Sequence, residues 1–172
     1  MKTVLLLRHA KSSWDQLNLP DPLRPLAPRG RKAAPRIGSY MAENKLIPNM
    51  VLCSTARRAE ETWQLVSDHL GDGIQVQMRD DIYHASPRRL MDLIQILPKT
   101  VDTVLLVGHN PTFEDLALTL AGSGQEEGLE SMARKYPTGA LAVIDFSVAD
   151  WSQIRAGEGY LRDFVRPRSL QR

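Results

Sequence analysis

The sequence predicts an α/β fold: a three-layer α/β/α sandwich with a mainly parallel central sheet. Three observations carry that expectation. Short, continuously apolar runs such as Val4-Leu5-Leu6-Leu7 and Val104-Leu105-Leu106-Val107 read as strands buried on both faces. Longer helical patterns separate these runs, which is the spacing of βαβ units. Finally, 172 residues with aliphatic runs spread from end to end suffice for one sizeable core, so residues 1–172 are expected to form a single domain.

The first strand is expected over residues 3–8, where the apolar run ends at Arg8. Residues 10–28 hold Pro20, Pro22, Pro25 and Pro28 without periodicity and read as a long ordered loop, a kind of segment that usually serves a site. A helix is expected over 30–45, with Pro35 near its start or kinking it. A strand over 50–53 and a helix over 55–70 follow, then a strand over 74–78. Ser86-Pro87 and Asn110-Pro111 each set a capping residue before a proline, marking the starts of helices over 87–97 and 111–121, with a strand over 102–107 between them. Gly122, Gly124, Gly128 and a glutamate cluster mark 122–136 as the most mobile surface segment. A last strand over 139–146 is followed by an expected hairpin from Trp151 to Pro167, turning at Ala156-Gly157-Glu158-Gly159.

Net charge is only +2 and no block of like charge occurs, which argues against nucleic-acid and membrane-surface partners. The bases are sixteen arginines and six lysines, a bias that suits bidentate phosphate recognition. Cys53 is the one cysteine, sits in an apolar run, and reads as a small buried hydrophobe in a reducing, cytoplasmic setting. The first apolar stretch is broken by Arg8 too early for a signal peptide or a membrane span.

Chemistry concentrates where the strands end. Arg8-His9 follows the first apolar run and Gly108-His109 follows the run at 104–107. In an open α/β sheet, side chains at the carboxyl ends of strands line the ligand crevice. A third strand end contributes Ser54, with Arg58 and Thr62 at i+4 and i+8 on one helical stripe. Arg57 and Arg58 fall in a first helical turn, where the helix dipole penalises cations, unless an anion binds there. The alternative is surface pairing of Arg57 and Arg58 with Glu60, Glu61 or Asp68.

These residues, in order and spacing, resemble the histidine phosphatase superfamily and within it the small SixA-type phosphohistidine phosphatases. The resemblance runs through Leu7-Arg8-His9-Ala10, Asp21-Pro22-Leu23-Arg24-Pro25-Leu26 with Arg29-Gly30, Ser54 with Arg58 and Thr62, Tyr83 with Ala85, and Val107-Gly108-His109-Asn110-Pro111. It implies a phosphoglycerate mutase-like fold. It also implies that His9 is the nucleophile and is transiently phosphorylated, while Arg8, Arg58 and His109 bind the phosphoryl group, with no cofactor and no metal. A neutral imidazole flanked by guanidinium groups suits that chemistry. The chain departs from the superfamily in having Ala10 where most members have Gly. It also lacks a glutamate in the region after the third strand, so that either Asp80, Asp81 or His84 substitutes as proton donor or proton donation is unnecessary.

Ser54, Asn110, Lys11 and Ser12 are the expected substrate-binding residues, Asn110 also capping its helix. Trp14 either rims the pocket or forms a hydrophobic lid over the core, and His69 reads as a surface residue. The expected partner is a protein carrying phosphohistidine or a small phosphorylated substrate. The rival readings are a phosphatase for a small phosphorylated metabolite and a non-catalytic phosphoprotein-binding module, which would have no use for His9.

Overall fold

The structure is a computed structural model that describes residues 1–170. Among these, seven strands form one sheet: β1 (Lys2–Arg8), β2 (Met50–Ser54), β3 (Gln75–Arg79), β4 (Thr103–Gly108), β5 (Ala121–Gly124), β6 (Leu141–Phe146) and β7 (Gly159–Val165). Their spatial order is β3-β2-β4-β1-β6-β7-β5. The pairs β2–β3, β2–β4, β1–β4 and β5–β7 are parallel, and β6 runs antiparallel to both β1 and β7. The helices are α1 (Pro28–Glu43), α2 (Arg57–Ser67), α3 (Asp80–Tyr83), α4 (Pro87–Gln95), α5 (Thr112–Leu120) and α6 (Glu126–Arg134).

Strand geometry sends alternate side chains to opposite faces, and the central strands are apolar on both. Leu5, Leu7, Val51, Cys53, Leu105 and Val107 pack with Ala34, Ile37 and Met41 of α1 and with Trp63 and Val66 of α2. Val4, Leu6, Leu52, Val104 and Leu106 face the other layer, built on Leu90 and Ile94 of α4 and Phe113, Leu116 and Leu120 of α5. Continuous apolar runs are thus what a doubly covered sheet demands, and the three-layer architecture follows. Cys53 is fully buried, and burial pushes its thiol up to about 12, so it acts as a small apolar side chain.

Register decides what this sheet can do. Arg8 pairs with Gly108 across β1–β4, and Cys53 pairs with Val107 across β2–β4. Ser54 is therefore level with Gly108 and Arg8, and the three parallel strands end flush. His9 and His109, one residue beyond, emerge side by side.

The expected strands and helices lie where the sequence puts them to within a few residues, but three segments differ. Residues 122–136 are not an irregular loop: they form β5 and α6, with Met132 buried beneath the helix. Their glycines mark close approach, since a Cβ on Gly122 would meet the Gly157 carbonyl oxygen at 1.8 Å. The expected hairpin at 156–159 is absent. Trp151 sits fully buried in a 3₁₀ turn, its Nε1 donating to the Val101 carbonyl at 2.7 Å, so the chain must dive before β7 returns along β6. Pro35 lies at the eighth residue of α1, deeper in the helix than its missing N–H favours.

The helix starts behave as capping chemistry predicts, with one shift. Ser86 Oγ accepts from the Arg89 N–H at the start of α4. At α5 the helix begins at Thr112 and Pro111 holds the cap position, while Asn110 Oδ1 accepts from the Glu114 N–H.

The long proline-rich loop returns against the strand end. The Ala27 N–H donates to the Lys11 carbonyl, and Gly30 lies so close that a Cβ there would meet the Lys11 oxygen at 2.2 Å. Both sides of this contact are backbone and neither can swing away. Gly30→Ala is therefore expected to destabilise the fold by about 1–3 kcal/mol, measured by urea unfolding. A loss within about 0.5 kcal/mol, the range of ordinary surface changes, would show that α1 is not fastened at this point.

Candidate active site

His9 leaves β1 held on three sides. Its N–H donates to the Gly108 carbonyl at 2.9 Å, its own carbonyl accepts from the Gly139 N–H at 2.9 Å, and its ring Nδ1 lies 2.7 Å from the Ala10 carbonyl. A carbonyl oxygen can only accept, so Nδ1 carries the proton and Nε2 keeps its lone pair. The Ala10 N–H in turn donates to Thr62 Oγ1, whose hydroxyl donates to the Arg58 carbonyl. Ala10 fills this role without a left-handed backbone; among the described residues the one non-glycine with positive φ is Lys45.

The two histidine rings lie 5.3 Å apart, centroid to centroid. His109 Nε2 is 2.8 Å from Ser54 Oγ, which also accepts from the Ala56 N–H. The arrangement that satisfies the hydroxyl has it donating to Nε2, leaving the proton of His109 on Nδ1. That Nδ1 and Arg8 Nε are buried and have no partner among the described residues, whereas Arg8 Nη1 donates to the Tyr136 carbonyl at 2.9 Å. Gly108 is required by packing, since a Cβ would meet the Phe113 ring at 2.5 Å.

Burial is the largest influence on both imidazoles. It lowers His9 to about 3, against the Ala10 hydrogen bond that pulls it up, and the charges of His109, Arg58 and Arg8 push in the same direction as burial. Burial followed by the Arg58 charge lowers His109 to about 4, with Asp21 acting in opposition. Both rings are neutral at physiological pH.

Arg58, buried in the first turn of α2, donates from Nη1 to the Asp21 carbonyl at 2.9 Å and from Nη2 to Asp21 Oδ2 at 3.0 Å. Asp21 also takes Arg24 Nη1 at 2.9 Å and the Tyr83 hydroxyl. Its partial burial alone would raise its pKa, but the bonds from Tyr83, Arg24 and Arg58 hold the carboxyl well below the usual range. The Tyr83 ring stands edge-on to His109 at 5.3 Å. Asp21 and Tyr83 thus belong to the site, although the sequence reading gave neither a role. Both stand among the residues that carry the family resemblance, and Asp21 is marked further by its place with Arg24 inside a proline-rich loop. The Tyr136 carbonyl, which also accepts from Asn110 Nδ2, had no side-chain signal.

Other expected residues lie elsewhere. Arg57 is exposed and pairs with Glu61, as the surface alternative requires, while Arg58 turns inward to Asp21. Ser12 is buried but taken by Arg24 Nη2 at 2.5 Å. Trp14 is no lid over the core: it is 63 % exposed, with the Arg24 guanidinium 3.3 Å above its ring, because Arg24 is held down by Ser12, Ser13 and Asp21. Lys11 is exposed and lines a neighbouring cleft. Asp81 is bound by Arg79 and Arg89 and lowered to about 2, so it is ionised near neutrality. Asp80 accepts from Thr55 at 2.6 Å. His84 is exposed at the rim, its ring 4.2 Å from that of Tyr83, and His69 is exposed on the surface. No group of three or more His, Cys, Asp or Glu among the described residues is arranged to hold a metal ion.

Residues 4–85 match the family model of the histidine phosphatase superfamily (branch 1). A protein of Agrobacterium tumefaciens that carries the name phosphohistidine phosphatase SixA superposes with a TM-score of 0.82 at 32% identity, over 96% of this chain and 98% of that one. The chain belongs to the histidine phosphatase superfamily. An uncharacterised protein of Mycobacterium tuberculosis is 35% identical over 94% of this chain and its own whole length. A protein histidine phosphatase SixA solved with tungstate shares the fold, with a TM-score of 0.79 at 23% identity over 98% of this chain and 99% of that one. The three-layer sheet is accordingly the phosphoglycerate mutase-like fold of this superfamily.

The buried neutral imidazoles make acid stability a direct readout of the site. A histidine that titrates near 6.5 unfolded but near 3 or 4 folded makes its full contribution above 6.5 and loses it progressively as pH falls toward the folded value. Stability is expected to fall below pH 6.5, each histidine adding up to about 1.4 kcal/mol per pH unit. His9→Asn should flatten that slope; an unchanged slope would mean that His9 titrates normally. Because the Asp21 charge raises His109, Asp21→Asn should shift the NMR titration of His109 below about 4. A shift upward would contradict the influence of the Asp21 charge on His109.

Proposed function

We propose that the protein hydrolyses phosphate from phosphohistidine on a partner protein, through a phosphohistidine formed at its own His9. The observation that carries this reading is the state of the His9 ring. Nδ1–H is committed to the Ala10 carbonyl and burial keeps the ring neutral, so Nε2 presents a lone pair beside two unpartnered donors, Arg8 Nε and His109 Nδ1. Nucleophile and charge-stabilising groups converge as phosphoryl transfer requires.

In the first step the Nε2 lone pair attacks phosphorus. A P–Nε2 bond forms and the bond from phosphorus to the leaving nitrogen breaks, the leaving imidazole keeping the electron pair and carrying a proton. Arg8, Arg58 and His109 stabilise charge on the three phosphoryl oxygens, with Ser54 fixing the His109 tautomer and Asp21 orienting Arg58. In the second step water attacks the phosphorus, the P–Nε2 bond breaks, and inorganic phosphate leaves with His9 neutral again. The residues present supply the positive charge without a metal. Asn110 sits behind Arg8, sharing the Tyr136 carbonyl with it.

Leaving-group chemistry favours phosphohistidine over alkyl phosphates. An alkoxide needs a positioned acid, whereas an imidazole leaves once its ring is protonated, which solvent accomplishes near neutral pH. Of the three expected donors, Asp81 is locked as a carboxylate between two arginines, Asp80 accepts the Thr55 hydroxyl, and His84 stands exposed at the rim. The name borne by the Agrobacterium structure agrees with this preference.

The test is a substrate panel. The kcat/KM values should fall from phosphohistidine protein to aryl phosphate to alkyl phosphate, and chelators should leave them unchanged. Best activity on an alkyl phosphate, removed selectively by His84→Ala, would assign the enzyme to small phosphorylated metabolites. His9→Ala should abolish turnover while the protein stays folded, and near-normal turnover would exclude covalent catalysis. Arg58→Ala should cost about two to three orders of magnitude in rate, whereas Arg57→Ala, which loses only an exposed pair with Glu61, should stay near wild type. Equal losses would mean that Arg58 is not the phosphate ligand.

A further inference from the structure

Beside the strand ends lies a cleft of about 470 Å³ whose charged lining is entirely basic: Lys11, Arg29, Arg36, Lys135, Arg166 and Arg168. Among the described residues no carboxylate lines it, and none of the six makes an ion pair or a side-chain hydrogen bond. This concentration does not follow from the composition. With these six set aside, sixteen bases face twenty acids, so the remainder of the chain is acidic. Gathering like charges in one concave surface costs self-repulsion, which an anionic partner relieves.

The fold builds the cleft deliberately close to His9. Arg29, Ala33 and Arg36 recur at i, i+4 and i+7 and form one stripe of α1. Arg166, Pro167 and Arg168, just after β7, line it as well. The near end is closed by Lys11, two residues beyond His9, and by Lys135, Pro137 and Thr138. That last segment serves both sites: the Tyr136 carbonyl accepts from Arg8, and the Gly139 N–H donates to the carbonyls of Arg8 and His9.

We propose that the cleft docks an acidic segment of the phosphorylated protein substrate, the glutamates and aspartates flanking its phosphohistidine. The inference rests on the proposed phosphatase activity for the nature of the substrate, and on the cleft alone for its charge. The six cations are exposed or half-exposed, not buried and aimed at one point. A pocket shaped for one small anion would hold buried, hydrogen-bonded donors. Unburied cations drawn from four separate stretches of chain match instead the charged rim of a protein contact, which steers a partner of opposite sign and fixes its register.

Two synthetic peptides test this, each with one phosphohistidine, flanked by glutamates in one and by glutamines in the other. At low salt the wild type should turn over the glutamate peptide with about tenfold higher kcat/KM, and 0.5 M NaCl should erase the difference. The preference should vanish in Arg29→Glu/Arg36→Glu and, independently, in Arg166→Glu/Arg168→Glu, with turnover of p-nitrophenyl phosphate unchanged in both. Equal turnover of the two peptides by the wild type, or a preference that survives both double variants, overturns the proposal. Fluorescence anisotropy of the unphosphorylated peptides separates the cleft from the chemistry. Selective binding of the glutamate peptide, lost in the double variants, upholds the cleft even if phosphohistidine is not hydrolysed, in which case the substrate reading fails instead. Tighter binding of tripolyphosphate or of a single-stranded oligonucleotide than of the glutamate peptide gives the cleft to a different ligand and also overturns the proposal.

Discussion

The flush ending of three parallel strands governs what the rest of the molecule can do. Pairing Arg8 with Gly108 and Cys53 with Val107 brings Arg8, Ser54, His9 and His109 to one edge of the sheet without any loop having to place them. A slip of one residue in β1 would send Arg8 into the core and Leu7 to the crevice, since side chains alternate between faces. That slip is opposed from both layers, because Leu5 and Leu7 are wholly buried against α1 and α2 while Val4 and Leu6 are wholly buried on the other side. Core packing and site geometry are therefore the same constraint viewed from two directions.

The electrostatics of the site express a conflict that this scaffold sustains. Two guanidinium groups and two imidazoles share a small volume, and the imidazoles yield by remaining neutral. The positive charge stays with the arginines. Arg58 is balanced by Asp21, while Arg8 reaches only carbonyl oxygen and keeps Nε without a partner among the described residues. Such an arrangement is costly in the free protein and favourable with an anion present, in keeping with the tendency of functional sites to hold strained electrostatics. Asp21 also couples the site to the long loop, because Arg24 ties it to Ser12 and Ser13.

Much of this was legible in the sequence because the signals were local. An apolar run followed by Arg-His or Gly-His declares a strand end, and Ser86-Pro87 declares a helix start. What escaped depended on contacts distant in sequence. Gly122 and Gly124 looked like mobility, but their lack of side chains serves the close approach of Gly157 and Leu161. Trp151 reads in sequence as part of a hairpin, but the acceptor for its indole is the carbonyl of Val101, 50 residues away. Asp21 carried no pattern tying it to Arg58, 37 residues away, and the Tyr136 carbonyl could not have been seen in any side-chain pattern. The basic cleft was hidden for the same reason, since its six cations come from four separate stretches and the net charge is near zero.

The central claim is that His9 is phosphorylated through Nε2, because Nδ1 is held by the Ala10 carbonyl. Rapid quenching during turnover, followed by alkaline peptide mapping and NMR of the trapped peptide, tests it most directly. The account predicts a base-stable, acid-labile phosphate on His9 with phosphorus bonded to Nε2. Phosphate on His109, on Nδ1 of His9, or on no residue at all would contradict it.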